Sequence, residues 1–157
     1  MVDVHLRPVT LDNYKECLGL RIDAAQEGLV ASNAQSLAEA KVNPALVPLA
    51  IYDGAARGYE QPSLPMVGFT MYELIAGVGF ILRLMVDQAF QGRGYGRGAM
   101  VEVIRRLRLY PEVEMIATSH RRENATAARL YATLGFGPWK VAWAGPEDAD
   151  VFLRLSS

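Results

Sequence analysis

The sequence predicts an α/β sandwich, a mixed sheet with helices on its faces. Three observations predict it. Apolar runs suited to strands alternate with apolar stripes at helical spacing along the whole chain. A glycine-rich turn joins one such strand to a strongly amphipathic helix near the middle. The chain has 157 residues, 51% hydrophobic and 21% charged, which suits one globular domain with a proper core.

The elements follow in order. His5–Val9 reads as a first strand, and Thr10 as the cap of a helix whose apolar stripe is Tyr14, Cys17, Leu18 and Ile22. Ser36-Leu-Ala-Glu39 has the form of a capping box that opens a second short helix. Val47–Tyr52, Met66–Tyr72 and Val78–Val86 are strands, the first two separated by the turn-rich loop Gly54–Pro65. Gly94–Leu109 is a helix with Ala99, Met100, Val103, Ile104 and Leu107 on one face and Glu102, Arg105, Arg106 and Arg108 opposite. Glu114–Thr118 reads as a buried strand and Asn124–Leu134 as a helix ended by Gly135. Pro138–Ala144 and Val151–Leu155 form a terminal strand pair. The order is β-α-α-β-β-β-α-β-α-β-β.

Composition excludes several classes. No uncharged stretch exceeds the twelve residues of Gln61–Tyr72, far short of the roughly 20 apolar residues of a membrane span. The first residues carry no basic, apolar leader pattern. A single cysteine, Cys17, rules out an internal disulfide, and together these features point to the cytoplasm. Two distant histidines, His5 and His120, leave no His/Cys metal site and receive no role. The net charge of −1 is not that of a nucleic-acid binder. It hides an asymmetry: residues 1–90 hold ten acids and six bases, residues 91–157 seven acids and ten bases. An anionic ligand on the second part, and a cationic one on the first, would exploit it.

The most informative segment runs from Arg83 to Met100. Glycines at 92, 94, 96 and 98 lie between a strand and a helix start, with Arg93 and Arg97 among them. Glycine admits unusual dihedrals and close ligand approach, and the free amides of a helix N-terminus favour phosphate. A Walker loop needs Gly-Lys-Ser/Thr, and no lysine is present here. Gly94-x-Gly96-x-x-Ala99 matches a dinucleotide fingerprint in form, but five residues (Asp87–Gln91) separate it from its strand. A glycine-rich turn with no ligand is the remaining alternative.

Gln91-Gly-Arg-Gly-Tyr-Gly96 resembles the (Gln/Arg)-x-x-Gly-x-(Gly/Ala) signature of the GCN5-related N-acetyltransferases (GNAT superfamily). Downstream, Asn124-Ala-Thr-Ala-Ala-Arg-Leu-Tyr131 with Leu134-Gly135-Phe136 is similar to that superfamily's second segment. The resemblance implies the GNAT fold, a central mixed and mostly antiparallel sheet flanked by helices on both faces, with residues 1–157 as one N-acetyltransferase domain. It implies acetyl-CoA as co-substrate and no metal. Backbone groups of Gln91, Gly92, Arg93, Gly94, Tyr95 and Gly96, with Arg97 at the helix start, would hold the pyrophosphate. Leu84, Met85 and Val86 would pair with the pantetheine arm and polarise the thioester carbonyl. Asn124 and Ala127 would contact the cofactor, and Tyr131 would protonate the departing thiolate. Asn124 and Tyr131 are seven residues apart, so they share a helix face.

Within the superfamily the chain looks most like the bacterial spermine/spermidine (diamine) N-acetyltransferases. The segments concerned are Gln26–Asn33, Ala50–Gly54, Val67–Tyr72 and Arg83–Gly96. Those enzymes carry an acid just before the Arg83 position, where this chain has Leu82. Glu27 and Glu73, with Asp23, are therefore the acids expected to reach the cleft as general base. An alkyl amine has a pKa near about 10.4 and must lose a proton before attack. The expected partner is a small amine, with neither nucleic acid nor membrane, and the resemblance also implies a homodimer through the terminal strands. Rival readings are the same chemistry on a protein N-terminus, an aminoglycoside or an amino acid, and a non-catalytic acyl-CoA-binding module motivated by Leu82.

Overall fold

The computed structural model describes residues 2–145 and 147–156. The strands are β1 (Val4–Pro8), β2 (Leu46–Asp53), β3 (Met66–Ile75), β4 (Val78–Val86), β5 (Met115–Arg121), β6 (Phe136–Pro138) and β7 (Asp150–Leu155). The helices are α1 (Tyr14–Gly19), α2 (Asn33–Val42), α3 (Tyr95–Leu107) and α4 (Ala125–Thr133). One seven-stranded sheet runs β1-β2-β3-β4-β5-β7-β6, antiparallel at every neighbour except β4–β5. This is the mixed, mostly antiparallel sheet that the resemblance implies. Among the described residues no helix is long and apolar enough to cross a membrane.

Alternation along the strands feeds two cores. Leu6, Leu49, Ile51 and Ile81 pack with Ala99, Met100, Val103 and Leu107 of α3 and with Tyr131 of α4. Ala50, Tyr52, Phe69 and Met71 pack with Cys17 of α1 and Leu37 and Ala40 of α2. Burial pushes the Cys17 thiol up to about 11, with Glu16 adding to the effect, so it sits as an inert core group. Two bulges adjust the side-chain parity. Ile51 faces Gly68 while Tyr52 faces Met66, leaving Val67 as an extra residue on β3. Met71 faces Arg83 while Tyr72 faces Ile81, leaving Leu82 as an extra residue on β4. The second bulge turns both Leu82 and Arg83 toward the α2 side, where Leu82 joins the core and Arg83 meets Glu39 at 3.3 Å.

Three local expectations are corrected. The capping box at Ser36 is one turn too late. Ser32 caps α2, its Oγ accepting from the Gln35 amide at 3.1 Å. Ser36 is buried inside the helix, donating to the Ser32 carbonyl, and Glu39 is thereby free to pair with Arg83. The first helix is shorter than its apolar stripe. Thr10 accepts a turn bond from the Tyr14 amide, but Leu20 is already extended, so Ile22 lies beyond the helix and Leu18 is exposed. The strand at Pro138–Ala144 stops at Pro138. After one more bond from the Trp139 amide to the Phe152 carbonyl, the chain turns, and Trp143 packs edge-on against Trp139.

Gly68 sets the separation of β3 from the far end of β4. A Cβ there would stand 2.4 Å from the Met85 carbonyl oxygen and 3.3 Å from the Val86 Cα. Both neighbours are strand backbone, which cannot yield cheaply. Gly68→Ala is therefore expected to lower the unfolding free energy by about 1–3 kcal/mol in denaturant melts.

Candidate active site

The site begins where β4 and β5 part. Their parallel pairing runs only from Val78–Met115 to Ile81–Thr118. Beyond it β4 continues on β3 alone, and Ser119–Arg121 of β5 pair only with β7. On β4 the Arg83 carbonyl accepts from the Thr70 hydroxyl at 2.7 Å, and the Asp87 amide donates to the Val67 carbonyl at 2.8 Å. Pleated alternation then turns the backbone groups of Leu84 and Val86 to the open edge. A cleft of about 830 Å³ fills the gap, a volume typical of small-molecule sites.

The glycine loop closes one end of that cleft. Asp87 caps a 3-10 turn over Gln88–Phe90 by accepting from the Ala89 amide at 2.9 Å. Gly92 (φ 76°) and Gly94 (φ 90°) then take left-handed conformations, and Gly94 leads into α3 with no side-chain cap. Among the described residues no amide from Gln91 to Arg97 donates to a protein group, the first intrahelical bond being Gly98 to Gly94. This is a row of free donors at the positive end of a helix dipole.

Across the cleft, residues 22–31 form a wall tied to this loop. The Arg21 amide donates to Asp87 Oδ2 at 2.8 Å, and the Gln88 amide donates to the Arg21 carbonyl at 2.6 Å. Gln91 Nε2 donates to Gln26 Oε1 at 2.9 Å and to the Val86 carbonyl at 3.0 Å.

Most residues singled out from the sequence line this one cleft: Leu84, Met85, Val86, Gln91, Gly92, Gly94, Tyr95, Gly96, Asn124, Ala127 and Tyr131. The Tyr95 hydroxyl is turned to Asp53 Oδ2 at 2.6 Å, a bond that raises the Tyr95 phenol and lowers the Asp53 carboxyl. Asn124 caps α4, its Oδ1 accepting from the Ala127 amide at 3.1 Å, which leaves its amide nitrogen for other use. Tyr131 is 5% exposed, and burial pushes its phenol up to about 12, with Thr118 pulling the other way. A buried phenol of this kind holds its proton at neutral pH and can donate it.

Four residues stand elsewhere. Arg93 lies over the Phe90 ring at 5.5 Å, and Arg97 donates to Thr133 Oγ1 at 2.8 Å, so both flank the loop rather than line the cleft. Glu27 is exposed and outside the lining, though its neighbours Gln26 and Gly28 are within it. Glu73 is also outside, bonded by Asn43 Nδ2 at 3.1 Å and paired with Phe80 at the far end of β4. Asp23 does line the cleft, with Oδ1 accepting from the Ala25 amide at 3.2 Å.

Sequence reasoning missed Gln35, Arg83, Ser119, His120 and Asp150 in the lining. Those on β5 carry a readable signal only once its pairing with β4 is known to stop at Thr118.

The model of the Acetyltransferase (GNAT) family matches residues 25–136. A spermine/spermidine N(1)-acetyltransferase of Bacillus subtilis (strain 168) is 27% identical over 143 residues, covering 86% of this chain and 88% of that protein. The PaiA N-acetyltransferase of Thermoplasma acidophilum, solved with coenzyme A, superposes with TM-score 0.69 at 12% identity over 99% of both chains. The ribosomal-protein-S18-alanine N-acetyltransferase of Escherichia coli gives TM-score 0.63 at 15% identity, over 97% of this chain and 92% of that one. With the family model spanning both the glycine loop and the Asn124–Tyr131 helix, the chain belongs to the acetyltransferase (GNAT) family and is an acyltransferase enzyme.

Proposed function

We propose that the chain moves the acetyl group of acetyl-CoA to a primary amine by direct attack, and that a diamine or polyamine is the acceptor. One observation carries the reading. The free amides of Gln91, Gly92, Gly94, Tyr95 and Gly96 and the open backbone edge of Leu84 and Val86 are continuous along a single cleft that ends at a buried phenol. That arrangement fits a diphosphate joined to an amide-bearing arm with a thioester at its tip.

When bound, acetyl-CoA supplies an activated acyl carbon and a thiolate leaving group. The chain supplies the rest. The loop amides and the α3 dipole bind the diphosphate, while Gly96 leaves room for it: a Cβ there would meet only Leu130 at 3.7 Å and Val86 at 3.8 Å. The β4 edge orients the arm and offers an N–H to the carbonyl oxygen. Tyr131 holds a proton for the departing sulfur.

The polyamine reading is supported by the Bacillus subtilis relative and by the acid Asp23 in the wall of residues 22–31. The homodimer implied by the resemblance would use the outer strands, where β6 is the sheet edge.

Calorimetric titration of coenzyme A should give a 1:1 binding isotherm. Gly96→Asp, which sets a carboxylate against the free amides at an unstrained position, should weaken it by roughly 10- to 100-fold. Tyr131→Phe should keep coenzyme A affinity and cut kcat by about 100-fold; unchanged turnover would remove the phenol from the reaction. In an amine panel assayed by thiol release, spermine and spermidine should be turned over ahead of aminoglycosides, amino acids and N-terminal peptides. Preference for any of those classes would replace the polyamine reading.

A further inference from the structure

Acetyl transfer to an alkylammonium strips two protons from the nitrogen. One ends on the thiol sulfur, and the other leaves to solvent. Tyr131 can serve only the sulfur, and it must regain a proton before the next turnover. Leu82 occupies the bulge of β4 where an acid is expected, and Glu27 and Glu73 stand outside the lining; of the expected acids only Asp23 lines the cleft, on the facing loop with Oδ1 accepting from the Ala25 amide.

We propose that His120 is the proton acceptor of the cleft, its Nε2 taking protons from the attacking nitrogen, directly or through one water. The inference rests on the acetyl-transfer reading above. Strand alternation puts Ile116, Thr118 and His120 on the face of β5 that meets α3 and α4. His120 lines the same cleft as Tyr131, with the two rings 6.2 Å apart between centroids. Its Nδ1 lies 2.8 Å from the Arg121 carbonyl oxygen. A carbonyl oxygen only accepts, so Nδ1 carries the hydrogen of the neutral ring and Nε2 keeps its lone pair. Among the described residues Nε2 makes no hydrogen bond. The titratable and charged groups sharing the wall are Arg83 of β4, Arg121 of β5, Asp150 of β7, Asp23 of the facing loop, Tyr95 of α3 and Tyr131 of α4. His120 is the only imidazole among them.

The step balances. The nitrogen lone pair forms the bond to the acyl carbon, and the carbon–sulfur pair departs on sulfur. The nitrogen's two protons pass in turn to His120. One returns by way of Tyr131 to the sulfur, and the other is released to solvent.

The test compares wild type, His120→Gln and His120→Ala at saturating amine and acetyl-CoA, with kcat measured from pH 5 to 9. Wild-type kcat should fall toward the acid end of that range, because a general base acts only in its unprotonated form. His120→Gln should lose about 100-fold in kcat and lose that acid limb, with coenzyme A affinity and melting midpoint unchanged. Free imidazole should restore part of the rate to His120→Ala. The proposal is overturned if His120→Gln keeps the wild-type rate or the acid limb. It is also overturned if the loss comes with weaker coenzyme A binding, a lower melting midpoint and no rescue by imidazole, the pattern of a structural role. Wild type that binds coenzyme A but acetylates no amine would defeat the acetyl-transfer reading itself, and this inference with it.

Discussion

The site depends on a single interruption of backbone hydrogen bonding, the parting of β4 from β5 after the Ile81–Thr118 pair. A strand in the middle of a sheet ordinarily has both edges satisfied, because a buried unpaired N–H or C=O carries a penalty of the order of a hydrogen bond. Here the outer half of β4 is paired on β3 alone, and its other edge opens on the cleft. The molecule tolerates this because the edge faces an open cleft and because Gln91 returns to the Val86 carbonyl. An open edge at this depth is useful only to something that supplies donors and acceptors of its own. Under the proposed function the amide-rich arm of acetyl-CoA would do so.

The bulge at Leu82 is coupled to that opening. It places the extra residue of β4 immediately after the last pairs with β5 and turns Leu82 and Arg83 to the α2 face together. Arg83 then meets Glu39 across the face of the sheet, with Gln35 donating to the same carboxylate at 2.9 Å. The pair is partly exposed and so contributes little to stability. Its consequence is positional: it fixes the α2 side of the cleft beside the residue that replaces the expected acid. The facing wall is held as firmly, by the bonds from Arg21, Gln88 and Gln91 that tie residues 22–31 to the glycine loop.

Order of elements was legible in the sequence because period and punctuation agree there. Val78–Val86 carries its strand over the full span expected, and the apolar face of α3 is the one that enters the core. The glycine loop and the Asn124–Tyr131 helix were legible as well, since each pattern is local: glycines before a helix make free amides wherever they occur, and seven residues on a helix return to one face. Places where tertiary contacts overrode the local pattern were not legible. Ser36 has the form of a cap, but Ser32 starts the helix, and Glu39 is drawn to Arg83, forty-four positions away. The strand expected at Pro138–Ala144 ends where Trp139 and Trp143 pack on each other.

The sequence by itself determined the order of elements, the glycine loop before α3 and the shared helix face of Asn124 and Tyr131, because all three follow from patterns local to one or two neighbouring segments. Only the tertiary structure decided which acids face the cleft and which do not. Glu27, Glu73 and Asp23 are indistinguishable in the chain as acids near predicted strand and helix ends. What separates them is strand register, the bulge at Leu82 and the point at which β4 and β5 stop pairing. These are relations between segments far apart in sequence, and no local pattern encodes them.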